Sequence, residues 1–109
     1  MADVLGVFEQ AVLVAILRLQ KDAYGRAILK ELESLLKRRV TAGAVYATLD
    51  RLEGKGLASS HLGDGTAQRG GRVRRFYKVE GAGVRALNES RAITQNLWRG
   101  LPWPLKGRT

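Results

Sequence analysis

Between Val4 and Leu19 the apolar residues Leu5, Phe8, Val12, Leu13, Ile16, Leu17 and Leu19 recur at helical spacing, while Val7, Ala11, Val14 and Ala15 fill the remaining faces. Only Glu9, Gln10 and Arg18 are polar in this stretch. A helix apolar on nearly every side belongs either at the centre of a core or between two chains, and a seam shared with a second chain is the expectation here. Lys21 and Asp22 interrupt the pattern, and Asp22 is expected to cap a second helix from Ala23 to about Lys37. Its buried stripe is Tyr24, Ile28, Leu32 and Leu35, with Leu29 and Leu36 alongside.

After the short connection Arg38, Arg39 and Val40, Thr41 is placed to cap a third helix from Ala42 to about Glu53. Val45, Leu49 and Leu52 form its inner stripe, leaving Gly43, Tyr46, Ala47, Asp50 and Arg51 on the outer face. Gly54 and Gly56 supply a left-handed stop. Two helices joined in this way, the second opening on small residues and exposing a tyrosine, fit a helix-turn-helix. Leu57 to Leu62 and Arg72 to Val79 read as strands around a glycine-rich tip from Gly63 to Gly71. In the second strand Val73, Arg75, Tyr77 and Val79 share one face, and Arg72, Arg74, Phe76 and Lys78 the other. Such a ribbon is marginal alone, so it must lean on the helices, and beside a helix-turn-helix it is a wing. An amphipathic fourth helix spans Gly81 to Trp98, carrying Val84, Leu87, Ile93 and Leu97, and Arg99 to Thr109, with Pro102, Pro104 and Gly107, reads as a flexible tail. The predicted fold is therefore mainly α with a small β-hairpin wing. It divides into a winged helix-turn-helix over residues 1–80, a C-terminal dimerisation helix over 81–98 and the tail over 99–109.

Charge sharpens this picture. The chain has 109 residues and a net charge of +9, and it is long enough to bury a core without staples. The excess is local: Lys37 to Lys78 holds ten cations against Asp50, Glu53 and Asp64, whereas residues 1–35 hold four cations against five carboxylates. A concentrated positive field suits a polyanion such as double-stranded DNA, although a solvated basic surface has the same composition. Cysteine is absent, which excludes disulfides, thiolate metal sites and cysteine nucleophiles. His61 is the single histidine, so no metal site, cofactor or catalytic grouping is expected and the chain is not read as an enzyme. The glycines near Gly63 and Gly65 match neither a dinucleotide fingerprint nor a phosphate loop. The opening segment lacks a basic start, is interrupted by Glu9 and is too short to span a membrane, so a cytoplasmic protein without membrane attachment is expected.

With these elements in place the residues resemble the PadR family of winged-helix transcriptional regulators. The resemblance runs from Leu5 to Leu87. It is carried by Leu5, Gly6, Phe8, Glu9, Val12, Leu13 and Leu17 in the first helix and by Ala23, Tyr24 and Gly25 at the start of the second, followed by Ile28 and Leu32. In the third helix it continues through Gly43, Val45, Tyr46, Leu49, Arg51, Leu52, Gly56 and Leu57. Gly70, Gly71, Arg72, Arg75, Phe76 and Tyr77 carry it in the wing, and Gly83 and Leu87 in the last helix. Ala44 and Ala47 stand where the family often has Thr or Ser and Pro, and Glu80 replaces the usual Thr cap.

The resemblance implies a sequence-specific DNA-binding repressor, responsive to ligand, that meets a palindromic operator as a homodimer. The DNA-contacting residues it points to are Arg38, Arg39, Thr41, Ala42, Gly43, Tyr46, Arg51, Arg69, Arg72, Arg74 and Arg75. Each also has a plainer reading: Thr41 as a cap, Arg38 and Arg39 as helix-end charges, Arg51 as a solvated neighbour of Asp50, Tyr46 as half-buried against the wing, and the wing arginines as guards of a strand edge. Tyr24 is read as core. Leu5, Phe8, Val12, Leu87, Ile93 and Leu97 are expected at the dimer seam. Phe8 and Trp98 are candidates for holding a small aromatic effector, of the kind to which some regulators of this family respond, against the plainer reading of an interface tryptophan. Two rival functions remain open at this level: a winged helix that binds a protein partner, and a protein that coats nucleic acid by charge alone.

Overall fold

The computed structural model describes residues 4–63 and 73–107. It contains α1 (Val7–Leu19), a 3-10 turn (Gln20–Asp22), α2 (Gly25–Leu36), α3 (Ala42–Gly54), β1 (Ala58–Leu62), β2 (Arg75–Val79) and α4 (Gly81–Trp98). The proposed hairpin tip lies outside the described residues except for Gly63.

The first helix is the hub. Val12, Leu13, Ala15 and Ile16 are buried, and α1 touches α2, α3, α4 and β2. The central part of the nearly all-round apolar pattern therefore reflects a place in the protomer's own core, while Val7 and Leu17 of the same helix are exposed. Leu5 and Val12, expected at that seam, are both in the protomer's own core, while Phe8 and Leu87 are half-buried against it. The helix begins at Val7, three residues later than the pattern indicates, because Gly6 turns extended and its N–H donates to Glu9 Oε1 at 3.3 Å.

Asp22 does not cap α2 with its side chain. Residues 20–22 tighten into the 3-10 turn, and the chain then runs extended through Tyr24, which occupies the N-cap position without a side-chain bond. The reason is tertiary. The Tyr77 N–H donates to the Ala23 carbonyl at 2.8 Å and Tyr24 bridges Phe76, so the segment before α2 joins the edge of the wing sheet. Ile28 and Leu32 of the α2 stripe are buried, with Tyr24 and Leu35 half-buried.

In α3, Val45, Leu49 and Leu52 are fully buried as the stripe requires, and Thr48 is buried beside them. The left-handed stop belongs to Gly56 alone (φ 74°); Gly54 is still helical. The Leu57 N–H reaches the Leu52 carbonyl at 2.9 Å and the Gly56 N–H the Glu53 carbonyl at 3.0 Å, the paired closure of a Schellman end. This turn delivers the chain into β1, which pairs antiparallel with β2 from Ala58 opposite Val79 to Leu62 opposite Arg75. Tyr77 faces inward on β2. The bounds of α4 agree with the periodicity, but Glu80 accepts the Ser59 hydroxyl instead of capping the helix. Gly83 lies against the Leu57 backbone, and Ser90 Oγ accepts the Leu5 N–H at 3.2 Å. Beyond Ser90 every described residue is exposed, so the second half of α4 stands away from the body of the protomer.

Candidate nucleic-acid interface

The inner stripe of α3 anchors it, and the anchoring determines which residues it presents. Gly43, Tyr46, Ala47, Asp50 and Arg51 are all exposed on the opposite face. At its start Thr41 Oγ1 accepts the Ala44 N–H at 3.1 Å. The preceding amides of Ala42 and Gly43 belong to the free first turn, where the helix dipole favours an anion. A Cβ at Gly43 would meet no protein atom within 4 Å, so folding does not demand glycine there.

Tyr46 is 48% exposed, but its ring does not project freely. It lies across the first turn of α2 with its hydroxyl against Gly25; a Cβ at position 25 would fall 2.6 Å from Tyr46 Cζ. The ring thus packs on the start of α2. Arg38 and Arg39 are exposed in the connection before α3. That connection is held by Lys37 in a left-handed conformation (φ 57°) and by Glu33, whose carboxylate accepts the Val40 N–H at 3.1 Å.

Arg51 and Lys55 converge on one carboxylate. Glu9 Oε2 accepts from Lys55 Nζ at 3.2 Å and from Arg51 Nε at 3.5 Å, and Arg51 also reaches Thr48 Oγ1 at 3.3 Å. Burial pushes the Glu9 carboxyl up, but the hydrogen bonds from Lys55, the Gly6 N–H and Arg51 outweigh it and hold it below the usual carboxylate range. Glu9 was legible only as a polar break in an apolar helix. Its spacing of three from Gly6 marks a first-turn acid, but nothing local signals a partner 42 or 46 positions away.

On the wing, Arg75 donates to Ser60 Oγ at 3.0 Å and Ser60 donates to Glu53 at 2.7 Å, a relay that ties the strands to the end of α3. Burial first, then the nearby Glu53 carboxylate, raises the Tyr77 phenol above its ordinary range. The Arg74 guanidinium sits over the Tyr24 ring, 4.2 Å from its centroid. Tyr24, read from sequence as core, is half-buried and carries a cation. Arg69 and Arg72 lie outside the described residues. Of the candidate effector residues, Trp98 is 40% exposed and its aromatic partner among the described residues is Trp103, edge-on at 5.5 Å, rather than Phe8. Ile93 and Leu97 are exposed on the projecting half of α4.

The structure thus brings Thr41, Ala42, Gly43, Tyr46 and Arg51 together on one helix, with Arg38 and Arg39 leading into it. Among the described residues, no three His, Cys, Asp or Glu side chains cluster as a metal site would require, and no helix is long and apolar enough to cross a membrane.

Comparison with known proteins gives a consistent result. The model of the transcriptional regulator PadR-like family matches residues 12–89. Among solved structures, a PadR-like transcription factor from Bacteroides fragilis is similar, at 30% identity and a TM-score of 0.69, with 84% of each chain covered. A PadR family transcriptional regulator from Eggerthella lenta shares 27% identity over 84% of this chain and 76% of that one, with a TM-score of 0.65. A complex structure of hsRosR-S1 is 26% identical, covering 88% of this chain and 78% of that chain, with a TM-score of 0.69. No curated protein matches.

Proposed function

The chain belongs to the PadR-like family of transcriptional regulators, and from that premise we propose that it is a sequence-specific repressor that binds a palindromic operator as a homodimer and releases it in response to a ligand. The observation that carries the DNA-binding reading is the division of α3 into a fully buried stripe, Val45, Leu49 and Leu52, and an exposed face opening on Ala42, Gly43 and Tyr46. A rigidly anchored helix with small residues at its free amides can approach the floor of a major groove closely. The cations Arg38 and Arg39 ahead of it, and Arg74 and Arg75 on the wing, then supply backbone contacts on either side.

In this reading residues 1–80 bind DNA and residues 81–98 join two copies. Ile93 and Leu97 on the projecting end of α4 support that division, since they are exposed in the single protomer. Two recognition helices related by a two-fold axis would enter successive major grooves about 34 Å apart. Trp98 near that seam is where a flat aromatic effector would change their spacing.

Selection from a random duplex library at about 150 mM salt with excess competitor tests this reading, because salt suppresses the purely electrostatic component. Recovery of an inverted repeat is the expected result, and its half-site spacing measures the distance between the two α3 helices. Recovery of no motif, with binding lost as salt rises, would point to coating by charge or to a protein partner and overturn it.

A further inference from the structure

Four side chains form a continuous ladder on the outer side of the wing. His61 stacks on Phe76 with ring centroids 6.0 Å apart and planes at 24°. Phe76 meets Tyr24 edge-on at 5.8 Å and 69°. Tyr24 in turn carries the Arg74 guanidinium, 4.2 Å from its ring centroid. Both ends of the last contact are fixed through backbone. Tyr24 bridges Phe76 and its carbonyl accepts the Ile28 N–H at 2.9 Å, while the Arg74 carbonyl accepts the Gly63 N–H at 2.7 Å.

The ladder is joined to the recognition helix. Tyr46 of α3 rests on Gly25, the residue that follows Tyr24, so Tyr46, Gly25, Tyr24 and Arg74 form one line of contacts across α3, the start of α2 and the wing. We propose that Tyr24 is a positioning residue for DNA binding: its ring holds the guanidinium of the exposed Arg74 in place on the wing, ready for the backbone or groove flanking the bases that α3 meets. The inference rests on the DNA-binding reading above.

The physical basis is preorganisation. A free arginine side chain loses much rotamer freedom when it docks, and one already resting on an aromatic ring loses less. A cation–π contact needs no acceptor, so the guanidinium donors stay available for phosphate or base edges. Arg75 differs, since it donates to Ser60, and Arg51 differs, since it is drawn to Glu9.

The test is a double-mutant cycle on the full-length protein, read as affinity for the duplex recovered by selection and as Tm. Tyr24→Phe keeps the ring and is expected to bind within twofold of the unaltered protein. Tyr24→Leu removes the ring's quadrupole and is expected to weaken binding about two- to fivefold, the range of an exposed cation–π contact. Arg74→Ala weakens binding as well, and adding Tyr24→Leu to Arg74→Ala costs nothing further. If Tyr24→Leu proves unfolded, a trifluorinated phenylalanine at position 24, similar in shape but with the quadrupole cancelled, makes the same comparison with Phe. A Tyr24 that only supports the fold would weaken binding equally with and without Arg74, and that additivity would overturn the proposal while leaving the DNA-binding reading intact. Failure of the unaltered protein to prefer the selected duplex over a random one would overturn both.

Discussion

Tyr46 lies so close to Gly25 that a Cβ added at position 25 would stand 2.6 Å from Tyr46 Cζ and 2.7 Å from Cε1. One residue is half-exposed on α3 and the other is buried at the first turn of α2, so the glycine acts as a seat for the tyrosine. Gly25 is helical and its φ is not left-handed, so its need for glycine is steric rather than conformational.

Gly25→Ala is therefore expected to move the Tyr46 ring rather than to break the fold. Alanine suits a helix better than glycine, and an exposed tyrosine can swing aside, so the stability change should stay within about 1 kcal/mol. Binding to the selected duplex should weaken about five- to tenfold, as for a single disturbed base-pair contact. In a Tyr46→Ala background the same substitution should change binding little. Calorimetric Tm and anisotropy titrations of the four proteins check both halves of this expectation.

Glu9 gives a prediction in pH. Its carboxyl is held below the usual range in the folded chain, so it contributes stability that is present above its unfolded pKa and is lost as pH falls through the lower, folded value. Glu9→Gln should therefore destabilise at neutral pH and converge with the unaltered protein in acid. The carboxylate is 14% exposed but its partners Arg51 and Lys55 are 53% and 39% exposed, so solvent screening limits the loss to less than about 1 kcal/mol. Urea denaturation of both proteins across acid and neutral pH measures the difference. A gap independent of pH would mean that the ion pairs are not its source.

The parts of the fold legible in the sequence are those with local causes. The start of α3 follows from Thr41 and its buried stripe from spacings of four and three, and both appear as the pattern requires. The α4 helix, bounded by Glu80 and the tail, is equally plain. The failures have distant causes. Asp22 was a reasonable cap until Phe76 and Tyr77 drew Ala23 and Tyr24 into the sheet edge. Val12 fits a seam as well as a core, and only the packing of α1 against three helices and a strand distinguishes the two. Within the candidate interface, α3's outer face was legible, but the pairings of Arg74 with Tyr24 and of Arg51 with Glu9 were not, because both bridge elements far apart in the chain.

The first turn of α3 offers a test that separates folding from binding. Gly43 meets no neighbouring atom, so Gly43→Ala should leave stability unchanged or raise it by up to about 1 kcal/mol. An added methyl beside the free amides would nevertheless obstruct close approach to DNA, and specific affinity should fall while Tm does not. Thr41→Ala should do the reverse in part, costing about 1 kcal/mol through loss of the bond to the Ala44 N–H, with Thr41→Ser restoring it. Thermal melts and duplex titrations of these three variants separate the two effects. A Gly43→Ala protein with full affinity would remove the start of α3 from the interface.

Leu97 is 71% exposed on a half-helix that has already left the body of the protomer, and Ile93 and Leu101, four residues to either side, are exposed with it. The last buried residue of α4 is Ser90, which accepts the Leu5 N–H, and among the described residues this stripe stays exposed. If it joins two copies, Leu97→Glu places two carboxylates at an apolar seam, where burial of unpaired charge is strongly unfavourable. The variant should then sediment as a monomer at micromolar concentration where the unaltered protein is a dimer. It should also lose affinity for a two-half-site duplex while keeping its affinity for a single half-site. Because Leu97 supports no contact within the protomer's core, the secondary structure of the variant should be intact by circular dichroism. An unaltered protein that already sediments as a monomer would place the function of this stripe elsewhere and leave one α3 helix per binding event.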